Sequence, residues 1–240
     1  MEFIKLSKNP IAEALIQFRF QCTKPVTPSD LKNLLKLFPD SKSEEIKEIT
    51  FGIVDGKPAQ SETVMGYRIV LTNGYDIIQL EPESFSFSRI GPYENWNKFR
   101  DTFLANWKIL EQNIHPVNVQ RIGTRYVNKI LLPTDLGHVD LFMRLSPHIS
   151  FSPINTHADE YFLRIGMPIR EIDGRAIVTH VLDKSGSDGL LPIILDIDVF
   201  VIKDVKPELA SQNETLDKLR DYKNQIFYNS FTDKGLELYK

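Results

Sequence analysis

Cysteine is all but missing from this chain: Cys22 stands alone among 240 residues, which excludes an internal disulfide and a zinc site built from thiolates. Long apolar runs are missing as well. No stretch approaches the roughly 18 uninterrupted apolar residues of a spanning helix. Met1-Glu2-Phe3-Ile4-Lys5-Leu6 also lacks the apolar core of a signal peptide, so the expectation is a cytoplasmic protein without membrane contact. Neither sign of charge is in excess: 29 Lys and Arg oppose 32 Asp and Glu for a formal net charge of -3, which gives no global mark of a nucleic-acid binder.

Chemical signatures are equally sparse. There is no G-x-G-x-x-G, Walker loop or G-x-S-x-G, and Gly186-Ser187-Asp188-Gly189 reads as a solvated turn because it lacks the strand-to-helix setting of a nucleophile elbow. His115, His138, His148, His157 and His180 show no H-x-x-x-H spacing. No cofactor and no metal is expected, and no low-complexity tract or domain linker is present.

What is there is periodicity. Residues 13 to 22 alternate, with Ala14, Ile16, Phe18, Phe20 and Cys22 on one face, which predicts a half-buried strand. Thr27-Pro28-Ser29-Asp30 supplies a helix start for the Leu31, Leu34, Leu35, Phe38 stripe. Ile46 to Val54 alternates weakly and ends at Asp55-Gly56. Val64 to Leu71 and Tyr75 to Leu80 flank Asn73-Gly74, a hairpin signal in which both residues accept positive φ, and Phe85 to Ser88 alternates again. Trp96, Phe99, Phe103, Trp107 and Leu110 recur at three and four residues, predicting an amphipathic helix over 95 to 113 whose aromatics belong to a core rather than a base-stacking platform.

The second half repeats this order. A long strand over 117 to 132 is followed by a helix candidate near Asp135 to Met143 and a connection containing Ile149-Ser150-Phe151. Strands follow over 160 to 169, 176 to 182 and 191 to 202, the first two flanking Asp173-Gly174, and a final helix opens at Pro207. The expected fold is therefore α+β: a mainly antiparallel sheet of about ten strands with long helices on one face. It divides into two β-α-β(4)-α halves, 1–114 and 115–240, forming one compact unit and resembling a tandem TATA-binding-protein-like arrangement.

The richest stretch is Arg121-Ile122-Gly123-Thr124-Arg125-Tyr126-Val127-Asn128. Period two puts Arg121, Gly123, Arg125, Val127 and Lys129 on one face and Ile122, Thr124, Tyr126, Asn128 and Ile130 on the other. Leu195-Asp196-Ile197-Asp198-Val199 supplies carboxylates on one face of a second strand. The expected arrangement is a binding or structural charge network of Arg121, Arg125, Asn128, Asp196 and Asp198, with Arg19 and Lys129 available for nucleic-acid phosphates. A metal or acid/base pair at Asp196 and Asp198 is the competing reading.

"NPIAEALIQFRF" at 9 to 20, "YENWNKF" at 93 to 99, "RIGTRYVNKILLP" at 121 to 133, "ILDIDVF" at 194 to 200 and "FYNSFTD" at 227 to 233 together resemble a sporadically distributed prokaryotic family without established function. Its RIGxRYxN strand is the most specific signature. Patchy distribution implies an accessory gene, such as one of a defence or toxin-antitoxin locus. The functional expectation is a non-enzymatic adaptor that recognises a protein partner, with a homo-oligomer left open. The alternatives are a nucleic-acid binder using a basic sheet face and a metal-dependent enzyme using Asp196 and Asp198 with Arg125 and Asn128.

Overall fold

A computed structural model describes residues 6–54, 56–133, 139–147, 160–182, 189–210 and 213–240. The strands are β1 (Ile11–Cys22), β2 (Lys42–Val54), β3 (Lys57–Val70), β4 (Asp76–Glu81), β5 (Ser84–Ile90), β6 (Pro116–Pro133), β7 (Tyr161–Ile169), β8 (Gly174–Leu182) and β9 (Leu190–Val205). The helices are α1 (Pro28–Leu34), α2 (Trp96–Ile114), α3 (Pro207–Ala210), α4 (Asn213–Asn229) and α5 (Asp233–Glu237). Nine strands form an antiparallel sheet in the order β2-β3-β4-β5-β1-β6-β9-β8-β7, and the α+β class follows. Among the described residues no helix is long and apolar enough to cross a membrane.

The chain divides into two compact units: Leu15–Ile122 with Lys203–Gln212, and Met1–Ala14 with Gly123–Ile202 and Asn213–Lys240. The first is built on aromatic packing. Asn95 caps α2 by accepting the Lys98 N–H at 2.9 Å, and the helix ends where His115 turns left-handed at φ 49°. Its apolar stripe then lies on β1 and β5: Phe18 meets Phe103 at 4.7 Å and Trp107 at 5.1 Å edge-on, and Phe87 meets Phe99 at 5.4 Å. The aromatics of α2 are thus core, as their spacing predicts. α1 packs on β3 and β4, its start fixed by a reciprocal cap between Thr27 and Asp30.

In the second unit α4 lays Leu216, Leu219, Lys223 and Phe227 against the strands. Its C-terminal turn is clasped by a short segment. Met143 bridges Phe231, the Arg144 N–H reaches the Ser230 carbonyl at 2.8 Å, and the Arg144 Nε–H reaches that of Phe231 at 2.7 Å.

Several expectations are corrected. The helix predicted near Asp135 to Met143 is a single 3-10 turn, Val139–Leu141, within its described part, because the backbone of Met143 and Arg144 turns outward to pair with Phe231 and Ser230. Residues 134–138 and Ile149-Ser150-Phe151 lie outside the described residues, and among the described residues three strands, not four, follow β6. The helix expected from Pro207 is two described pieces, with Leu209 in the first 51% exposed. At the Asn73-Gly74 turn only Gly74 takes positive φ; Asn73 instead accepts the N–H groups of Tyr75 and Asp76, so a side chain closes a longer loop. The Asp173-Gly174 turn reverses the roles, Asp173 being the left-handed residue at φ 52°.

That loop also delivers Asp76 into a buried ion pair. The Arg89 guanidinium donates two bonds to it, at 2.6 and 2.7 Å, and the two side chains are only 8% and 4% exposed. Removing one partner strands the other charge away from water. Asp76→Ala is expected to lower stability by about 3–5 kcal/mol. Exchanging both residues for apolar ones should recover most of that loss, and urea denaturation of the single and double variants checks both outcomes.

Candidate functional site

Strand β6 alternates as its sequence predicts: Ile122, Thr124, Tyr126, Asn128 and Ile130 are buried, while Arg121 and Val127 are half-buried and Arg125 and Lys129 exposed. On the outer face Arg125 grips both carboxylate oxygens of Asp196, at 2.9 and 2.7 Å. The Arg125 side chain is nevertheless 50% exposed against 15% for Asp196, so water screens much of the attraction. The hydrogen bonds that Arg125 donates to Asp196, opposed by partial burial and helped by the charges of Asp196, Asp198 and Glu13, raise the Arg125 pKa above its ordinary value.

Arg121 donates to Gln17 at 2.8 Å, and Gln17 passes the chain on to the Ser84 hydroxyl at 3.0 Å. Asp198 is half-buried beside the Arg125 and Asp196 pair. Asn128 turns away from all of these charges: it is 1% exposed on the inner face and donates to the Leu195 carbonyl at 2.9 Å, tying β6 to β9. Arg19 and Lys129 are exposed. Among the described residues no three His, Cys, Asp or Glu side chains gather as a metal would require; His138, His148 and His157 lie outside the described residues. Cys22 is half-buried, and burial followed by the charge of Glu83 pushes its thiol up, away from the nucleophilic thiolate.

The inner face of the same unit holds two further polar groups, Lys223, which the sequence expectations leave out, and His180, which they weigh only as a metal ligand. Lys223 of α4 is 7% exposed and places its Nζ 3.9 Å over the ring of Tyr126. Burial, with a smaller push from Arg220, takes this amine from an ordinary 10.5 down to about 7. His180 is fully buried on β8 and bonds through Nδ1 to the Tyr161 hydroxyl at 2.9 Å, while its Nε2 meets no partner among the described residues. Burial lowers His180 from 6.5 to about 4, so its ring is neutral near pH 7. Both positions carry a signal in the sequence. Lys223 lies four residues from Leu219 and from Phe227 on the apolar stripe, and His180 continues the inward series Ala176, Val178. Beside α4, an apolar groove of about 430 Å³ runs between Ile165, Met167 and Val178 and the helix residues Tyr222 and Ile226.

The two most exposed of the large apolar side chains among the described residues, Phe51 and Ile53, lie elsewhere, on the β2–β3 hairpin. β4 pairs only with Tyr67–Val70 of β3, whereas β2 and β3 pair along their whole length, so Lys47–Val54 and Lys57–Met65 form a two-stranded ribbon beyond the reach of β4. Register fixes which way the ribbon faces. Phe85 and Phe87, under α2, stand opposite Leu80 and Ile78; these stand opposite Tyr67 and Ile69, and those opposite Glu45 and Ser43. Odd-numbered residues of β2 therefore share the helix-facing side, and Ile49, Phe51 and Ile53 continue it with exposures of 49%, 77% and 77%. At the root, a Cβ on Gly66 would collide with the Leu80 carbonyl, so only glycine lets β4 come this close. The register shift there leaves Met65 as the extra residue of β3.

Two charges of opposite burial give opposite outcomes. Asp196→Ala is expected to cost no more than about 1 kcal/mol, because its partner is half in water. Lys223→Met is expected to stabilise by about 1–4 kcal/mol near pH 7. Below about pH 7 the folded and unfolded states both hold the Lys223 proton, and from there to about 10.5 only the unfolded state does, so wild-type stability climbs across that interval and the methionine variant loses the climb. His180 adds a loss of stability as pH falls from about 6.5 to about 4. Chemical denaturation at a series of pH values checks both slopes.

Comparison of the chain with family models, with curated proteins and with solved structures finds no match.

Proposed function

We propose that the chain is a non-enzymatic binding or adaptor protein that acts through a protein partner, with the β2–β3 ribbon as its docking element. The observation that carries this reading is the stripe of Ile49, Phe51 and Ile53 on the helix-facing side of the ribbon, with the latter two 77% exposed. Side chains of this kind gain about 1.5–3 kcal/mol each when buried, and a bare two-stranded ribbon is at best marginally stable in water. A partner that covers the stripe supplies what the helices supply to the rest of that face. Ordered aromatic and aliphatic anchors of this kind dominate binding energy at protein interfaces. The accessory setting implied by the family resemblance belongs to the same proposal.

The competing readings draw less support. The Arg125 guanidinium and both oxygens of Asp196 are engaged with each other, which leaves neither a phosphate clamp nor a metal cradle at that point. Arg19 and Lys129 remain as exposed cations, and a binder of nucleic acid through them would lose affinity steeply with salt.

We also infer that the sheet descends from a duplication, the second half keeping three described strands after β6 where the first keeps four after β1. β1 neighbours β5, the last strand of its half, and β6 neighbours β9, the last of the other; in each half the remaining strands run back in reverse order to the edge. α2 and α4 follow those last strands in the chain. The Ser7 N–H bonds to the Tyr239 carbonyl at 2.7 Å, so a short linker can connect these two residues. A circular permutant opened at His115 keeps each half continuous and is expected to unfold cooperatively like the parent. Failure to fold would count against the two-half plan.

For the docking element, the test is affinity capture from source cells followed by titration of the purified partner. Phe51→Ser/Ile53→Ser is expected to weaken binding by roughly thirtyfold or more, and Ser61→Ala on the other face to leave it unchanged. Equal binding by all three proteins would rule out the ribbon.

A further inference from the structure

We infer that the ribbon pairs with the ribbon of a second copy of this chain, edge to edge through β2, about a twofold axis at Phe51. The inference rests on reading the ribbon as a docking element, and it names the partner. Two observations single out a second copy. The first is where the apolar side chains lie. β2 is the outermost strand of the sheet order, so among the described residues one edge of its backbone has no neighbouring strand. Ile49, Phe51 and Ile53 all belong to this outermost strand, whereas β3 exposes one large apolar side chain, Met65, at the root of the ribbon. A strand added at this edge is served by unpaired N–H and C=O groups and by the stripe at once.

The second is self-complementarity. In an antiparallel pairing centred on Phe51, Ile49 of one copy faces Ile53 of the other, Thr50 faces Gly52, and Phe51 faces its own equivalent. Every facing pair in this stretch is apolar or uncharged. Registers moved toward the root do not share that property: centring on Glu48 or Glu45 sets carboxylate against carboxylate, and centring on Ile46 sets Glu44 against Glu48. Like charges directly opposite are destabilising, which disfavours those registers, and centring on Ile49 or Thr50 sets Lys47 against Phe51 or Ile53, so the register at Phe51 is the one that faces apolar with apolar along the whole stripe. The six large apolar side chains then gather on one face of a four-stranded ribbon, flanked on each side by the Lys47 to Glu62 ion pair of 3.1 Å.

Magnitude sets the strength. The seven residues from Glu48 to Val54 that this register pairs span about 23 Å, and an edge contact of that length buries less than the roughly 1,200 Å² at which standard specific interfaces begin. The dimer is therefore weak and reversible, with a Kd in the micromolar range.

The test is sedimentation of the full chain from about 1 to about 500 µM, with charge exchange at the axis. Wild type is expected to pass from monomer to dimer over this range. Phe51→Glu and Phe51→Lys each set like charges face to face and are expected to remain monomeric, whereas an equimolar mixture of the two is expected to dimerise. Position 51 is exposed, so neither variant threatens the fold, and circular dichroism with thermal melts confirms that. A wild type that stays monomeric at the highest concentration, a variant that dimerises alone, or a mixture that does not dimerise overturns the pairing. A monomeric wild type whose external partner is still lost on Phe51→Ser/Ile53→Ser overturns the self-pairing and leaves the docking role standing. A dimer without any external partner does the reverse.

Discussion

A strand placed inside a sheet must satisfy backbone N–H and C=O groups along both edges, and β6 carries that requirement over 18 residues. Its neighbours β1 and β9 are fixed by the same demand, visible where the Lys129 N–H meets the Pro10 carbonyl at 2.8 Å and where Asn128 adds a side-chain bond to Leu195. Once β6 is held on both edges, its alternation decides everything above and below it. Tyr126 and Ile130 build the inner face, and Arg125 is left on the outer one to meet Asp196.

Charge in this molecule is sorted by access to water. Asp76 and Arg89 are secluded and depend on each other, Arg125 and Asp196 sit at the boundary and matter less, and Lys223 has an aromatic ring where a carboxylate would be expected. Attraction to the face of Tyr126 returns up to about 2 kcal/mol, less than the hydration a buried ammonium gives up. The result is an amine with a much reduced hold on its proton, produced by packing and not by a catalytic neighbour.

Alternation and helical spacing made most strands and the long helices legible, because both reflect a single local geometry. Phe18 and Phe20, Trp107 and Phe103, and the Thr27 cap could all be placed that way. The site was legible in part: the pairing of Arg125 with Asp196 followed from opposite charges on two outer faces, whereas Asn128 was expected among those charges although parity already set it inside. What sequence could not convey was coverage. Ile46 to Val54 reads as an ordinary half-buried strand, since nothing local tells that β4 stops short and leaves Phe51 uncovered. Lys223 was passed over for a related reason: a lysine is assumed to reach water, and only the packing of α4 on Tyr126 shows that it does not.

The extra residue at Met65 sets the phase of the ribbon. Paired without a bulge, the same sequence would set Ile49, Phe51 and Ile53 opposite Thr63, Ser61 and Ala59; with Met65 bulged they stand opposite Glu62, Gln60 and Pro58, and Val64 turns to join their side. One inserted residue thereby gives the stripe a polar margin along its inner border and leaves its outer border bare, so the ribbon is sticky in one direction only.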